Sequence, residues 1–297
     1  MDLIKKKALL ILNPVAGRQT IQRNLSQVIR SLMDGGYLVT TAVTSERGEA
    51  CKMASAWGGD YDLLVCAGGD GTLNECISGL ASKGKRVPVG YLPCGSTNDY
   101  ALSHELITDP VRAAAAAASG KTIAFDIGQF SERYFLHLAL FGAFTRMAYS
   151  TDQAQKNVLG YGAYVLDGLR EFSNIKPIEI TIRADGKVVE GEYAFGAFST
   201  DGHIAGIYTL PETVIKPDDG VIAAVLIKTP QSVAQWDILG RSLLSGDHDC
   251  EMIDILSARH FEIQTKEEIE WSLDGESSGP RTKVSISAKQ GFLTLRR

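Results

Sequence analysis

The sequence lacks the features by which several protein classes are recognised. Its five cysteines are odd in number and contain no CxxC pair, so neither a disulfide framework nor a zinc site is expected. The formal net charge is −5 and no basic stripe follows Lys5, Lys6 and Lys7, which argues against a nucleic-acid partner. The first apolar run, ALLIL, ends at Asn13 and Pro14, too early for a signal peptide or a membrane span. These absences predict a cytoplasmic globular protein.

What the sequence does contain is a regular alternation of strand and helix patterns over its first 122 residues. Apolar strand-like runs at 8–13, 37–44, 61–69 and 87–92 alternate with helical patterns at 21–33, 48–57, 73–81 and around 113–118. Continuous apolar strands separated by helices are typical of a parallel sheet that is covered on both faces. We therefore predict an α/β domain with a mostly parallel sheet over residues 1–122.

From residue 123 onward, strand patterns dominate. The apolar and alternating runs include RYFLHLALFG, IEITIRADGKVVEGEYAFGAFS, GVIAAVLIK, EIEWSLDGE and FLTLRR, with helices predicted only near 159–172 and 233–244. The segment ADGK (184–187) predicts a tight hairpin, because Asp-Gly accepts positive φ angles. We predict a β-rich, largely antiparallel sandwich or flattened barrel over residues 123–297. For the final strand, near 290–297, we keep two alternatives: it belongs to this domain, or it crosses back to the first one.

Three loops of the first domain carry the chemical signal. They are NPVAGR (13–18), GGDGTLNE (68–75) and PCGSTNDYA (93–101), and each follows a predicted strand. The carboxyl ends of parallel strands meet at one edge of a sheet, and glycine backbones with helix N-termini favour phosphate there. One such turn alone could be a plain connection, but three in register favour a polyphosphate site. GxxxxGK[ST] and GxGxxG are both missing, which disfavours a P-loop enzyme or a simple dehydrogenase.

The polar residues of these loops allow two interpretations each. Asp70 caps the following helix, or it holds Mg²⁺ against nucleotide phosphates. Asn98 and Asp99 form an Asx cap for a helix over 100–106, or they face the site.

The set of motifs resembles the diacylglycerol kinase catalytic-domain family, which includes bacterial lipid kinases and the sphingosine and ceramide kinases. The three loops, PDDG (217–220) and LDGE (273–276) stand in the family's order along essentially the full chain. GGDGT alone also occurs in NAD kinases and, in related form, in phosphofructokinases. The resemblance implies a first domain like that of those kinases, a β-rich second domain, and an active site in the cleft between them.

The resemblance also implies ATP and Mg²⁺ as cofactors and assigns site residues. Glu276 matches the general base, Asp274 lies close to it, and Asp70 organises Mg²⁺ and phosphate. If both residues lie in one strand, Asp274 and Glu276 are two apart and would face the same side. Without the resemblance, DGE is more simply interpreted as a surface turn. The expected nucleotide-binding residues, with Asn98 and Asp99 added from their place in the third loop, are Asn13, Pro14, Val15, Ala16, Gly17, Thr44, Gly68, Gly69, Asp70, Gly71, Thr72, Leu73, Ser96, Asn98 and Asp99.

PDDG has a separate implication, because some bacterial members of the family hold a structural Mg²⁺ at this position. The matching ligands are the Asp219 carboxylate and the carbonyls of Lys216 and Val221. The alternative is an acidic turn before the strand GVIAAVLIK.

Three departures from the family pattern fall in the second domain and bear on acceptor choice. The family usually has asparagine at His137 and at Thr200, and a paired glycine at Ala205. A core histidine satisfied by a hydrogen bond is the simpler interpretation of His137.

The resulting hypothesis is an ATP-dependent lipid kinase that phosphorylates diacylglycerol or a similar lipid alcohol. Such an enzyme would work at the inner face of the membrane as a peripheral protein. The sequence does not fix its oligomeric state, and a homodimer is among the states that it allows. The stretches 149–164 and 240–246 are candidates for membrane contact. The alternatives are a kinase of a soluble acceptor such as NAD or a sugar, and a non-catalytic lipid- or nucleotide-binding protein.

Overall fold

The structure is a computed structural model that describes residues 6–17, 20–142, 176–204, 208–246 and 249–297. The chain divides into two compact units. Unit 1 runs to Ile127 and regains the last residues, Gly291–Arg297, whereas unit 2 is Gly128–Gln290. The predicted boundary at 122/123 coincides with the start of a strand, and the division at 127/128 falls inside that strand.

Unit 1 is an α/β unit whose strands pair in parallel in the order β2-β1-β3-β4, with the end of β15 beside β4. Its elements are β1 (Lys6–Leu12), α1 (Thr20–Asp34), β2 (Tyr37–Val43), α2 (Glu49–Trp57), a 3₁₀ turn (Gly58–Asp60), β3 (Leu63–Gly68), α3 (Asp70–Ser82), β4 (Val89–Pro93), α4 (Asp99–Ser103) and α5 (Pro110–Ser119). Every residue of β3 and β4 is buried, which is why these runs are continuously apolar. Helices α1 and α5 pack on one core cluster of this sheet, and α2 packs against α3.

Unit 2 is β-rich and its strands pair antiparallel, as predicted. Its main order is β13-β12-β9-β7-β14-β15, and β8 lies between other parts of β9 and β14. Its elements are the end of β5 (Thr122–Phe130), β6 (Arg133–Phe135), β7 (Leu138–Gly142), β8 (Ile178–Ala184), β9 (Lys187–Ser199), β10 (His203–Ile204), β11 (Tyr208–Thr209), β12 (Ile222–Lys228), α6 (Val233–Ser245), β13 (Ile253–Ala258), β14 (His260–Leu273) and β15 (Glu276–Arg296). The core is aromatic, with Trp271 in edge contact with Phe130 and Phe141.

Several predicted boundaries are wrong. The run RYFLHLALFG is two strands, β6 and β7, interrupted at 136–137. The predicted strands EIEWSLDGE and FLTLRR are parts of the longer strands β14 and β15. Helix α3 begins at Asp70, three residues before the predicted start, so the GGDGT glycines flank and enter its first turn.

Two predicted features, the helix near 159–172 and the membrane-contact candidate at 149–164, lie outside the described residues. Among the helices that are described, none is both long and apolar enough to cross a bilayer.

Candidate functional site

The three glycine loops of unit 1 touch one another through their backbones. A Cβ atom added to Gly17, which has φ +51°, would lie 2.4 Å from the carbonyl oxygen of Cys94. A Cβ added to Gly95 would lie 2.6 Å from the Cα of Gly69, and one on Gly69 would lie 3.2 Å from the Cα of Gly95. Side chains are therefore excluded where the loops after β1, β3 and β4 meet. This is the arrangement expected of a backbone cradle for phosphate groups.

Asn13 fixes the first loop to the second. Its Nδ2 atom donates to Thr72 Oγ1 at 3.1 Å, while its Oδ1 atom accepts from the Val15 N–H at 3.1 Å. Its own N–H donates to the carbonyl of Ala67 at 2.9 Å. Thr72 is buried at the start of α3, so its hydroxyl serves this contact from inside the protein. Val15, in contrast, is exposed.

Some of the expected nucleotide-binding residues are committed to the structure of unit 1. The Leu73 side chain is fully buried and its N–H donates to the Gly69 carbonyl, so neither group is directed to a ligand. Ala16 packs in the core, and Thr44 is buried with its N–H bonded to the Leu12 carbonyl at 2.9 Å. These residues shape the walls behind the loops.

Other members of the expected set are nearer the surface. Gly71 and Ser96 are exposed, and Gly68 is buried at the end of β3. The carbonyl of Pro14 accepts a hydrogen bond from Gln22 Nε2 at 2.9 Å, which attaches the first loop to α1.

Asp70 caps a helix, but not the one that it begins. Its carboxylate accepts hydrogen bonds from the N–H groups of Asp99 and Tyr100, at 2.7 and 3.3 Å, which are the first two residues of α4. The Tyr91 hydroxyl donates to the same carboxylate at 3.0 Å. Burial is the main cause that raises the pKa of Asp70, and the nearby Asp99 carboxylate adds to it. Burial, followed by the charge of Asp70, raises the pKa of Tyr91. Tyr91 was not identified from the sequence, because it lies within the pattern of an apolar strand.

Of the two alternatives for Asn98, an Asx cap or a group that faces the site, the Asx cap does not form. Asn98 occupies the N-cap position of α4 with φ 52°, but its side chain makes no capping hydrogen bond. Its amide instead pairs with Gly95, accepting from the N–H at 2.8 Å and donating to the carbonyl at 3.0 Å. Asn98 therefore holds the third loop in shape, and Asp99 is left exposed at the start of α4.

In unit 2, the segment LDGE forms a tight hairpin turn. Leu273 ends β14, Glu276 begins β15, and the two residues pair across the turn. Asp274 has φ 47° and Gly275 has φ 83°, the two positive values that a type I′ turn requires. The prediction that Asp274 and Glu276 lie two apart on one strand is therefore wrong. Asp274 is a turn residue, and Glu276 is a half-buried strand residue.

The Asp274 carboxylate binds three successive backbone N–H groups. It accepts from Leu136 at 2.6 Å, from His137 at 2.9 Å and from Leu138 at 2.8 Å. Its own N–H donates to the Leu138 carbonyl at 2.8 Å. These bonds draw the peptide groups at 136–137 out of strand pairing, which explains the break between β6 and β7.

Asp201 and His137 form a second polar cluster that sequence reasoning did not assemble. The Nδ1 atom of His137 lies 2.8 Å from Oδ2 of Asp201, whose side chain is 3% exposed. Thr200, beside Asp201, donates through its hydroxyl to the Leu136 carbonyl at 2.6 Å. The histidine is satisfied by a hydrogen bond, and its side chain is 22% exposed. The only sequence signal for this cluster was that positions 137 and 200 depart from the family pattern.

The PDDG segment is a turn in which the Asp219 carboxylate binds backbone N–H groups. Asp219 accepts from the N–H groups of Lys216 at 2.8 Å and Val221 at 2.9 Å, one on each carboxylate oxygen. The expected Mg²⁺ ligands also include the carbonyls of Lys216 and Val221, which belong to other peptide groups than these N–H groups, so the structural Mg²⁺ site stays a prediction. Over the described ranges, no cluster of three or more His, Cys, Asp or Glu residues could hold a metal ion.

The chain is similar to diacylglycerol kinases along nearly its whole length. The family model of the diacylglycerol kinase catalytic domain matches residues 7–130. The diacylglycerol kinase of Bacillus subtilis (strain 168) is 31% identical over 92% of this chain and 91% of that protein. The diacylglycerol kinase of Staphylococcus carnosus (strain TM300) is 28% identical over 97% of this chain and 94% of that protein. A crystal structure of a diacylglycerol kinase from Bacillus anthracis str. Sterne has the same fold, with a TM-score of 0.74 at 24% identity over 98% of this chain and 96% of that one.

Proposed function

This chain belongs to the diacylglycerol kinase family and is a phosphotransferase with an alcohol as acceptor, and on that premise we propose that it transfers the γ-phosphoryl group of ATP to a lipid hydroxyl. The proposed acceptor is diacylglycerol or a similar lipid alcohol. Because such an acceptor resides in a bilayer, the enzyme would work at a membrane surface, on the cytoplasmic side where ATP is present.

The observation that carries the proposal is the backbone contact between Gly17, Gly69 and the third loop at Cys94 and Gly95. Loops that meet without side chains can bring several peptide N–H groups to one phosphate chain. They lie at the carboxyl ends of parallel strands, where α/β sheets bind their ligands. The residues present therefore fit a nucleoside triphosphate, and Asn13 and Asn98 hold the cradle in shape.

A Mg²⁺ ion bound with ATP would neutralise charge on the phosphates during transfer. Asp70 and Asp99 are the residues that would hold it, since the Asp99 N–H lies 2.7 Å from the Asp70 carboxylate and the Asp99 side chain is exposed at the start of α4. Tyr91 and Tyr100 donate to Oδ1 of Asp70, but Oδ2 accepts only from the Asp99 N–H, so one lone pair of Oδ2 is left for a cation.

On the acceptor side, we propose Glu276 as the general base. Its carboxylate takes the proton of the lipid hydroxyl while the hydroxyl oxygen forms a bond to the γ-phosphorus, and ADP leaves with the electrons of the broken bond. We do not propose Asp274 as a base, because its carboxylate already accepts hydrogen bonds from three backbone N–H groups. We assign it the role of placing Glu276 and the 136–138 segment.

The test is an acceptor panel with radiolabelled ATP. The protein is offered diacylglycerol in phosphatidylcholine vesicles and, separately, NAD and simple sugars in solution. Label is expected in the lipid fraction alone. Label in NAD or a sugar would favour a kinase of a soluble acceptor, and ATP binding without transfer to any acceptor would favour a binding protein.

A matched variant tests the phosphate cradle. Gly95→Ala places a methyl group against Gly69, and it should raise KM for ATP at least tenfold while the KM for lipid stays the same. An unchanged KM for ATP in a folded variant would contradict the assignment of the cradle.

A further inference from the structure

A buried aspartate in unit 2 lies between two histidines. Oδ2 of Asp201 is 2.8 Å from His137 Nδ1, and Oδ1 is 3.6 Å from His203 Nδ1. The two imidazole rings are roughly parallel, with centroids 6.3 Å apart and an interplanar angle of 28°. The aspartate side chain is 3% exposed, whereas the side chains of His137 and His203 are 22% and 40% exposed. The carboxylate thus lies inside the protein and the imidazoles reach the surface.

The Asp201 carboxylate is held in one orientation. Its Oδ1 atom accepts from the Ser199 hydroxyl at 3.0 Å and from the His203 N–H at 3.0 Å. The Ser199 hydroxyl is fixed in turn, since it accepts from the N–H of Gly202 at 2.9 Å. With Oδ1 occupied, Oδ2 faces His137. A preorganised carboxylate of this kind orients the imidazole that it contacts.

This contact fixes the tautomer of His137. An ionised carboxylate only accepts hydrogen bonds, so the hydrogen of the His137–Asp201 bond belongs to Nδ1. In a neutral imidazole, Nε2 then carries a lone pair and acts only as an acceptor. Above the ordinary imidazole pKa of about 6.5, the lone pair of His137 is therefore on Nε2.

His137 also lies close to the proposed general base. Its backbone N–H is bound by Asp274, and Asp274 and Gly275 lead directly into Glu276. In the sheet, β14 lies between β7 and β15, and Leu273 pairs with Ala139 on one side and with Glu276 on the other. Since neighbouring strands are about 4.8 Å apart, the start of β7 and Glu276 are separated by about 10 Å. This is a distance that the polar head of one glycerolipid and two side chains can span.

We propose that His137 contacts the acceptor lipid through Nε2, and that Asp201 is the positioning residue that keeps Nε2 an acceptor. The inference rests on the lipid-kinase function proposed above and specifies its acceptor. The group that meets Nε2 must donate a hydrogen bond, so it is a second hydroxyl or N–H beside the hydroxyl that is phosphorylated. Monoacylglycerol has such a second hydroxyl. Diacylglycerol has only ester oxygens there, and these cannot donate.

The experiment compares monooleoylglycerol with dioleoylglycerol in phosphatidylcholine vesicles, at about pH 8.5, well above the ordinary imidazole pKa of about 6.5. The quantity measured is the ratio of kcat/KM for the two lipids. We expect the wild-type ratio to favour monooleoylglycerol, and His137→Asn to lower that ratio about tenfold, the effect of one hydrogen bond. An asparagine amide can donate to an ester carbonyl as well as accept. KM for ATP should not change.

Further variants separate a contact role from a structural one. Asp201→Asn should lower the same ratio with KM for ATP unchanged, because its amide no longer fixes the His137 tautomer. His203→Asn is the matched control at the same aspartate and should keep the wild-type ratio. If His137→Asn does not fold, His137→Gln, which also both donates and accepts, should give the same fall in ratio.

The outcomes distinguish the two proposals. If the wild-type protein phosphorylates neither lipid, the proposed function fails. If it phosphorylates both with a ratio near one, or if folded His137 and Asp201 variants keep the wild-type ratio, the lipid-kinase function stands and the role of His137 is overturned.

Discussion

Unit 2 contains two Asp-Gly hairpins of nearly identical backbone geometry, and only one of them belongs to the proposed active site. Asp185 and Gly186 have φ angles of 45° and 89°, and Asp274 and Gly275 have 47° and 83°. Each aspartate also binds the backbone of a neighbouring strand connection. Asp185 accepts from the N–H groups at 259 and 260, at 2.8 and 3.0 Å, as Asp274 accepts from those at 136–138.

The difference between the hairpins is in what each one holds. The first fixes the start of β14, it is exposed, and an exposed Lys187 follows the turn. The second is half-buried, it fixes the segment that carries His137, and Glu276 follows the turn. An Asp-Gly turn with a bound carboxylate is therefore a structural device, and its neighbours determine whether it also serves chemistry.

The largest effect should come from the residue after each turn. Glu276→Gln removes the proposed proton acceptor and should lower kcat by about 10²- to 10⁴-fold, the usual contribution of a general base. Lys187→Gln, at the matching position of the other hairpin, should leave kcat within twofold of the wild-type value. Steady-state kinetics with labelled ATP and thermal denaturation measure both. Near-normal kcat in folded Glu276→Gln would remove Glu276 from the mechanism.

The two turn aspartates should separate stability from activity. In Asp274→Asn an amide NH₂ replaces one acceptor oxygen and leaves a half-buried N–H unsatisfied, at a cost of about 1–3 kcal/mol in the free energy of unfolding. In Asp185→Asn water can reach the exposed N–H, so the cost should be below about 1 kcal/mol. Urea denaturation gives both values. Activity should fall at least tenfold only in Asp274→Asn, and an equal loss in Asp185→Asn would make the two turns functionally equivalent.

The two glycines test how alike the hairpins are. No atom lies within 4 Å of a Cβ added at Gly186 or Gly275, so alanine changes only the backbone energy. Each substitution should destabilise the protein by about 1–2 kcal/mol, the cost of a left-handed conformation with a side chain. The two costs should agree within about 0.5 kcal/mol. A larger cost at Gly275 would show additional strain in the active-site turn.

A third aspartate extends the comparison to unit 1 with a small, pH-dependent effect. Asp70 also binds successive N–H groups, but burial raises its pKa. The folded protein therefore keeps this proton to a higher pH than the unfolded chain, whose aspartates titrate near about 3.9. The contribution of Asp70 to stability is greatest below that pH and decreases as the pH rises through the folded-state pKa.

The corresponding measurement is the difference in melting temperature between Asp70→Asn and the wild-type protein from about pH 4 to about pH 7. Asp70→Asn lacks the titration, so the difference should shift in favour of the variant as the pH increases. A difference that does not vary with pH would mean that Asp70 has the same pKa in both states.

The regular parts of the fold were predictable from local patterns. The continuous apolar runs at 8–12 and 63–68 indicated buried strands, and they are buried. The ADGK turn was predicted because Asp-Gly accepts positive φ angles, and β8 and β9 pair across it. The break at 136–137 was not predictable in this way, because its cause is a carboxylate 137 residues later in the chain.

The sequence by itself determined the alternation of strands and helices, the three glycine loops and the family, because each rests on local spacing and on residues that only certain backbones tolerate. It also contained Asp70, Asp274 and His137 as residues to explain. Only the tertiary structure decided their partners: Asp70 caps α4, Asp274 binds the backbone before β7, and Asp201 orients His137. The physical reason is that a carboxylate or an imidazole can satisfy its hydrogen bonds in many ways. The choice depends on which donors the packed chain brings within about 3 Å.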